Sequence, residues 1–431
     1  MRVLRDLCLL FFISCAIEAT LAGLYYYEAH GPLQSAIEEH TAMLQSGTIP
    51  DASQIDIRNA PWAKVAHFEE VFGELHLLID PVFALVILWF FMRRGISRAL
   101  RDIATRNNSN VHFRRAIYLC LYILSSTFIF MPQIVSGYLV GHMRGTDTTL
   151  PVDAIWSALT DPILSGLYVL ALFIPLYWII DRYKVRWWIV AAAFVSAFSV
   201  FMMFIGPVVI EPLYVQATPM EEGSLRTALV DMTQRAGVPI DRIYVNNISW
   251  QSLESNAGVS GMGWTKRIEL DDTLIRFYSQ PEIVFIVAHE LGHYVNGDLI
   301  TDSLIAAIST FVSFWLIAHM LRFWVRKYGR RDGIRGEGDI VLYPLIGFVF
   351  LVFGFATSPI ICTISRAIES RADAYALTIT KDPEAGVGGF KKLAYQSFVD
   401  PSPPAFLHFW FDTHPSLDER IAAITANTAS R

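Results

Sequence analysis

Charge is what this sequence has least of. Asp, Glu, Lys and Arg make up 17% of its 431 residues, against roughly 25% in ordinary soluble domains. Positive charge in particular is not in excess: 34 Lys and Arg stand against 40 Asp and Glu, a net charge of −6. A nucleic-acid-binding role, which needs a basic face, is therefore disfavoured. Cysteine is scarce. Cys8, Cys15, Cys120 and Cys362 each fall inside an apolar run. Their spacing fits neither a metal cluster nor a disulfide framework, so they read as small core or lipid-facing residues. There is no internal repeat and no low-complexity tract.

Apolar residues fill the space left by charge. The chain is 53% hydrophobic with mean hydropathy +0.40, and several runs exceed the roughly 18 apolar residues that mark a membrane span. Seven spans are expected, at about 7–27, 77–92, 116–142, 157–180, 187–209, 299–321 and 341–364. Arg2 and Arg5 before the first run raise a cleaved signal peptide as its competitor; Glu18 and the continuation to Tyr27 favour a retained helix. The fold class is a multi-span α-helical membrane protein with a small α+β unit. Residues 1–209 form a five-span N-terminal region. Residues 210–431 form the second domain, which includes the last two spans.

Between spans the chain alternates in character. Residues 28–75 are polar and acid-leaning, and His67 and His76 read as members of a solvated face. Asp80 and Asp161 lie at or inside spans, where an acid needs a wet interior to face. Glu211-Pro212-Leu213 ends the fifth span. Residues 223–236 have helical amphipathicity, whereas 241–245 and 266–270 read as strands. The basic residues gather in three loops: Arg93 to Arg115, Arg182 to Arg186, and Arg322 to Arg335. Seven spans put these loops on one face, and the positive-inside rule makes that face cytoplasmic. The segments around 289 and 369 then share the opposite face.

The chemistry is concentrated in His289-Glu290-Leu291-Gly292-His293. Residues four apart share a helix face, so His289 and His293 present two imidazoles to one point, at a spacing that suits Zn2+. Ser279-Gln280-Pro281-Glu282 marks the helix start as a capping box. A catalytic zinc needs a third protein ligand. Position 299, where one known arrangement has its third His, is Leu. Glu337, Glu369, Glu384 and Glu419 are the downstream Glu candidates, with His319, His408 and His414 as rivals. Glu369 is favoured because Asp373 follows it one helical turn later and can accept the spare N–H of a ligand histidine. One zinc per chain is implied. Glu290 would take a proton from the attacking water and give it to the leaving amine. Asn256, on a strand-like segment before the zinc helix, could hold substrate backbone.

These pieces resemble the CAAX prenyl protease 1 family, the Ste24-type membrane metalloproteases of the M48 class. The matching residues are His289-Glu290-Leu291-Gly292-His293, Glu369 with Ala372-Asp373, Ser255-Asn256-Ala257, Asp272-Thr273-Leu274-Ile275, and His414-Pro415 with Arg420. The resemblance implies His289, His293 and Glu369 as zinc ligands, Glu290 as general base, and Asp373 as support for a ligand. It implies Asn256 on the substrate, and His414 and Arg420 near the scissile carbonyl. It also implies a large water-filled chamber enclosed by the spans. Two departures bear against removal of the last three residues of prenylated proteins. The basic loops put the zinc outside the cytoplasm, and Gly258-Val259-Ser260-Gly261 stands where the family has aromatics. The Arg-rich, Lys-poor loops suggest a bacterial inner membrane, with the endoplasmic reticulum membrane as the alternative. The expected function is a membrane zinc endopeptidase acting on membrane-associated or extracytoplasmic polypeptides. CAAX processing is the alternative, and a transporter or a catalytically silent scaffold are those from other classes. The partners implied are a polypeptide substrate and the lipid bilayer, with no nucleic acid.

Overall fold

A computed structural model describes residues 2–106, 110–206, 209, 212, 215–261 and 265–429. Long apolar helices dominate it: α1 (Arg2–Ala29), α3 (Pro61–Arg93), α5 (Val111–Arg144), α6 (Pro151–Tyr183), α7 (Trp187–Ile205), α11 (Asp298–Asp332) and α12 (Tyr343–Thr380). Shorter helices complete the set: α2 (Gln34–Ser46), α4 (Ile96–Thr105), α8 (Ser224–Arg235), α9 (Asp272–Phe277), α10 (Gln280–Asn296), α13 (Pro383–Ser397), α14 (Ala405–Trp410) and α15 (Leu417–Ala429). Six helical stretches among the described residues are long and apolar enough to cross a membrane. One of them, Pro151–Ile205, is α6 and α7 joined by a short turn at Lys184–Arg186, so it holds two of the seven expected spans. The expected end of the fifth span at Glu211 and Leu213 lies outside the described residues.

A four-stranded sheet supplies the β part: β1 (Ala217–Pro219), β2 (Ile243–Asn246), β3 (Ala257–Ser260) and β4 (Arg267–Asp271), in the order β1-β2-β4-β3. β2 and β4 run parallel, with Val245 opposite Leu270; β3 lies antiparallel to β4, with Val259 opposite Ile268. β3 is thus an edge strand, and one of its sides is open to pairing.

Two hydrophobic cores form. One lies in the membrane bundle, around Phe91, Tyr118, Leu119, Tyr177, Phe314 and Leu345. The other joins the sheet, α8, α10 and α13 to residues from the N-terminal region, among them Tyr25, Ile37, Leu44, Val65 and Phe72. The polar, acid-leaning stretch 28–75 is thus packed in part against this core. Ala36, Ile37, His40 and Leu44 form one buried stripe of α2, and α3 starts at Pro61, well before its apolar run, because helix continues beyond the membrane-length segment. His67, expected on a solvated face, is exposed there while its Nδ1 reaches Asp400 at 2.7 Å; His76, expected on the same face, is half-buried with Nε2 3.7 Å from the buried Glu18. Among the acids in spans, Asp80 accepts from Gln133 Nε2 at 3.4 Å, and Asp161 is exposed.

His40 gives this second core a pH dependence. Its Nε2 donates to the Tyr395 carbonyl of α13 at 2.7 Å. Burial pushes the imidazole down from 6.5 to about 4, and the hydrogen bond offsets only part of that. The unfolded chain takes up this proton below about pH 6.5, the folded chain only below about 4. The contribution of His40 is therefore complete above pH 6.5 and fades as pH falls from there to 4, by roughly 3 kcal/mol. Thermal unfolding followed across that range should show the loss, and His40→Gln should flatten it. A variant curve parallel to the wild type would contradict the assignment.

Candidate metal centre

The site is built on α10, and its local sequence fixes where that helix starts and stops. The Ser279 N–H and hydroxyl both donate to Glu282 Oε2, at 2.7 and 2.8 Å. Lys392 of α13 donates to the same oxygen at 2.7 Å. Ile283, Phe285, Val287, Ala288 and Leu291 are buried and lock the helix into the core. Gly292 lets α12 come close: a Cβ there would lie 3.2 Å from the Ala372 Cα. Gly297, at φ 72°, ends α10 in the left-handed conformation that glycine adopts at low cost. That sharp turn brings Asp298, the first residue of α11, back beside the second histidine.

His289, His293 and Glu369 converge as the sequence predicts. One donor atom from each lies within 4.8 Å of the others. His289 Nε2 is 3.2 Å from His293 Nε2, 3.1 Å from Glu369 Oε2, and His293 Nε2 is 3.4 Å from Glu369 Oε1. The far sides of both rings are occupied: His289 Nδ1 donates to Asp373 Oδ1 at 2.8 Å and His293 Nδ1 to Asp298 Oδ2 at 3.0 Å. With both Nδ1 protonated, both Nε2 lone pairs point at the same place as the Glu369 carboxylate. Glu369 Oε2 is buried with no hydrogen-bond partner among the described residues. Burial alone would lower the His289 pKa, yet Asp373 and Glu369 outweigh it and raise it to about 9. Glu369 on the inner side of the ring and Asp373 behind it both favour positive charge at this place. Two imidazoles and a carboxylate are a zinc donor set, and ligands bound at about 2.0–2.1 Å around one tetrahedral ion sit about 3.3 Å apart. The residues fit the ion.

The remaining candidates fall into three groups. Glu290 is half-buried on the cavity side of α10, where burial raises its carboxyl above the usual range. It lines a cavity of about 420 Å³ with Val259, Ser260, His293, Tyr294 and Glu369. His414 is 59% exposed at the site, with Nε2 3.5 Å from Glu369 Oε2. Arg420 lies behind His289: it grips Asp373 at 2.6 and 2.8 Å and stacks 4.0 Å over Phe390. Asn256 is exposed and sits one residue before β3, with Oδ1 accepting the Ala257 N–H at 2.9 Å. The other third-ligand candidates are elsewhere. Glu337 holds Trp187 and Arg322, Glu419 caps α15 through Ser416, and Glu384 is exposed on the first turn of α13. His319 bonds the Trp315 carbonyl, and His408 bonds Asp412.

Sequence reasoning missed Asp298 and its partner Arg371, whose Nη2 donates to Asp298 Oδ1. The available signal was the Gly297-Asp298 pair, a helix stop followed by an acid, but its return to His293 depends on the turn. Asp298→Ala should weaken metal binding by roughly 10–100-fold, whereas Asp298→Asn, which keeps an acceptor for His293 Nδ1–H, should lose much less. Competition with a chelator of known affinity measures both; wild-type affinity in Asp298→Ala would remove Asp298 from the site.

Comparison with known proteins agrees with this geometry. A model of peptidase family M48 matches residues 219–428, and one described as the CAAX prenyl protease N-terminal region, five membrane helices, matches 43–216. An uncharacterized metalloprotease of Bacillus subtilis, YhfN, is 31% identical over 304 residues, covering 69% of this chain and 70% of that protein. CAAX prenyl protease 1 of Saccharomyces cerevisiae is 28% identical over 282 residues, 59% of each chain. The match therefore spans less than two thirds of the yeast protein. The crystal structure of S. mikatae Ste24p superimposes with a TM-score of 0.73 over 96% of this chain and 98% of that one, at 20% identity, which shows a shared fold.

Proposed function

The chain belongs to the Ste24-type branch of peptidase family M48 and is an integral membrane metalloprotease; from that premise we propose that its metal is a single Zn2+ held by His289, His293 and Glu369, and that it is an endopeptidase for membrane-associated or extracytoplasmic polypeptides. The observation that carries the reading is the pair of anchored rings. Asp373 and Asp298 fix both Nδ1–H groups, so both Nε2 atoms face Glu369.

The bound ion would supply an acidified water and polarise the scissile carbonyl. This chain's own residues do the rest. Glu290 takes the proton of the attacking water and delivers it to the leaving amine. Its burial brings its basicity nearer the working pH. His414, at the exposed mouth, donates to the carbonyl oxygen as negative charge builds there. Arg420 is a positioning residue: it orients Asp373, and Asp373 orients His289. The open edge of β3, led by Asn256, receives the substrate backbone as an added strand. We divide the chain near residue 210, with 1–209 as the five-span region and 210–431 as the M48 domain carrying two further spans.

The three basic loops lie at the end of the bundle away from the metal residues, which supports a cytoplasmic face for the loops and an extracytoplasmic site. The curated relatives named CAAX prenyl protease 1 favour the second reading, removal of a C-terminal tripeptide from prenylated proteins. One experiment separates the two. The purified chain in nanodiscs is offered an unfolded, unprenylated polypeptide and a farnesylated CAAX peptide. Internal cuts in the unprenylated chain are expected. Activity confined to the last three residues of the farnesylated peptide would favour the second reading over the first.

A further inference from the structure

The three basic loops that mark one face of the bundle do not simply spread over it. They converge on a cavity of about 480 Å³, lined from 101–115, 180–185 and 335–340. This cavity is at the far end of α11 from the metal residues. α11 starts at Asp298 beside His293 and runs 35 residues, about 50 Å at 1.5 Å per residue.

Five basic side chains, Arg101, Arg114, Arg115, Lys184 and Arg335, line it against three carboxylates, Asp181, Glu337 and Asp339, a surplus of two positive charges. The carboxylates are all engaged. Asp181 pairs with Arg115 at 2.7 Å, Asp339 with Arg101 at 2.8 Å, and Glu337 with Arg322 at 3.3 Å, from outside the cavity lining. Arg115 is buried, bonded also to the Gly338 carbonyl and stacked 5.0 Å over Tyr177. Arg101 is bonded also to the Gly333 carbonyl. Arg101 pairs with Asp102 as well, at 3.2 Å, so these two make a rigid, charge-compensated floor. Lys184 and Arg335 are exposed at the mouth, with no ion pair among the described residues. The rim is apolar as well: Val185 is 70% exposed and Val111 45%. A soluble anion gains nothing from such a rim, whereas the glycerol and first methylenes of a lipid do.

We propose that this cavity binds a phosphate-bearing anion, presented as the headgroup of an anionic phospholipid. The floor guanidiniums are committed to carboxylates and carbonyls, so the phosphate oxygens are met at the mouth, where the Arg335 guanidinium offers a fork and the Lys184 ammonium a mobile charge. The site is separate from peptide hydrolysis and stands whether or not the proposed substrate class is right.

The test has two arms. In the first, the chain is reconstituted in phosphatidylcholine nanodiscs doped with phosphatidylglycerol, and lipid retained on release is read by native mass spectrometry. In the second, phosphatidylcholine nanodiscs are titrated with inorganic phosphate. Wild type should retain phosphatidylglycerol over phosphatidylcholine, and Lys184→Gln/Arg335→Gln should weaken that by roughly tenfold or more. Val185→Glu, which puts a carboxylate on the exposed rim, should weaken it too and guards against a misfolded double variant. Cleavage activity, about 50 Å away, should be unchanged in both and reports folding. Variant-sensitive phosphate binding without a preference for phosphatidylglycerol would keep the phosphate site and assign it to a solute. Retention of phosphatidylglycerol that is equal in wild type and variants, with no phosphate binding, would overturn the proposal.

Discussion

Glu290→Gln should lower cleavage by about 10²–10⁴-fold and leave the fold intact, since that is the range a positioned general base supplies. The amide has the size of the carboxylate, and Glu290 stands half-buried on a helix fixed by its neighbours Ala288, His289 and Leu291. What is lost is an acceptor for the proton of the attacking water. Cleavage of a fluorogenic polypeptide measures the effect, with circular dichroism as the folding control. Undiminished turnover would remove Glu290 from the chemistry and leave the site without a base, because Glu369 and Asp373 are committed to the rings.

Glu369→Ala should abolish turnover by a different route, through loss of the metal. It deletes the anionic member of a three-ligand set and leaves His289 Nε2 and His293 Nε2 3.2 Å apart with nothing between them. Two imidazoles alone cannot close a zinc site against water. Glu369→Gln should resemble Ala in metal content, since the charge is what is lost. Retention of the metal by either variant would direct the search to His414, the nearest other donor, 3.5 Å from Glu369.

Much of this was legible in the sequence, for identifiable reasons. The spans were visible because a bilayer demands about 20 apolar residues in a row. His289, Glu290 and His293 were visible because helical spacing alone makes them one face. Glu369 and Asp373 were chosen by the same spacing rule. The positive-inside pattern groups Arg101, Arg115, Lys184 and Arg335 on one face, and in the fold they line one cavity.

The failures share a cause: they depend on where the chain returns, not on what it is made of. The packing of residues 28–75 was hidden because their apolar stripe, Ala36, Ile37 and Leu44, is thin among acids. Its partner surface on α13 comes more than 300 residues later. His76 left the solvated face for Glu18, at a separation no local window spans. Asp298 was overlooked because its approach to His293 depends on one left-handed glycine. The hold of Arg420 on Asp373 and its stacking on Phe390 were hidden for the same reason, since they join α15 to α12 and α13.

The measurement that reaches the central claim most directly is zinc per chain in purified Glu290→Gln, set beside Glu369→Ala. One zinc per chain in the first and almost none in the second is the predicted result, with neither cutting polypeptide. Zinc missing from Glu290→Gln, or present at full occupancy in Glu369→Ala, would contradict the assignment of His289, His293 and Glu369 as the ligands and Glu290 as the base.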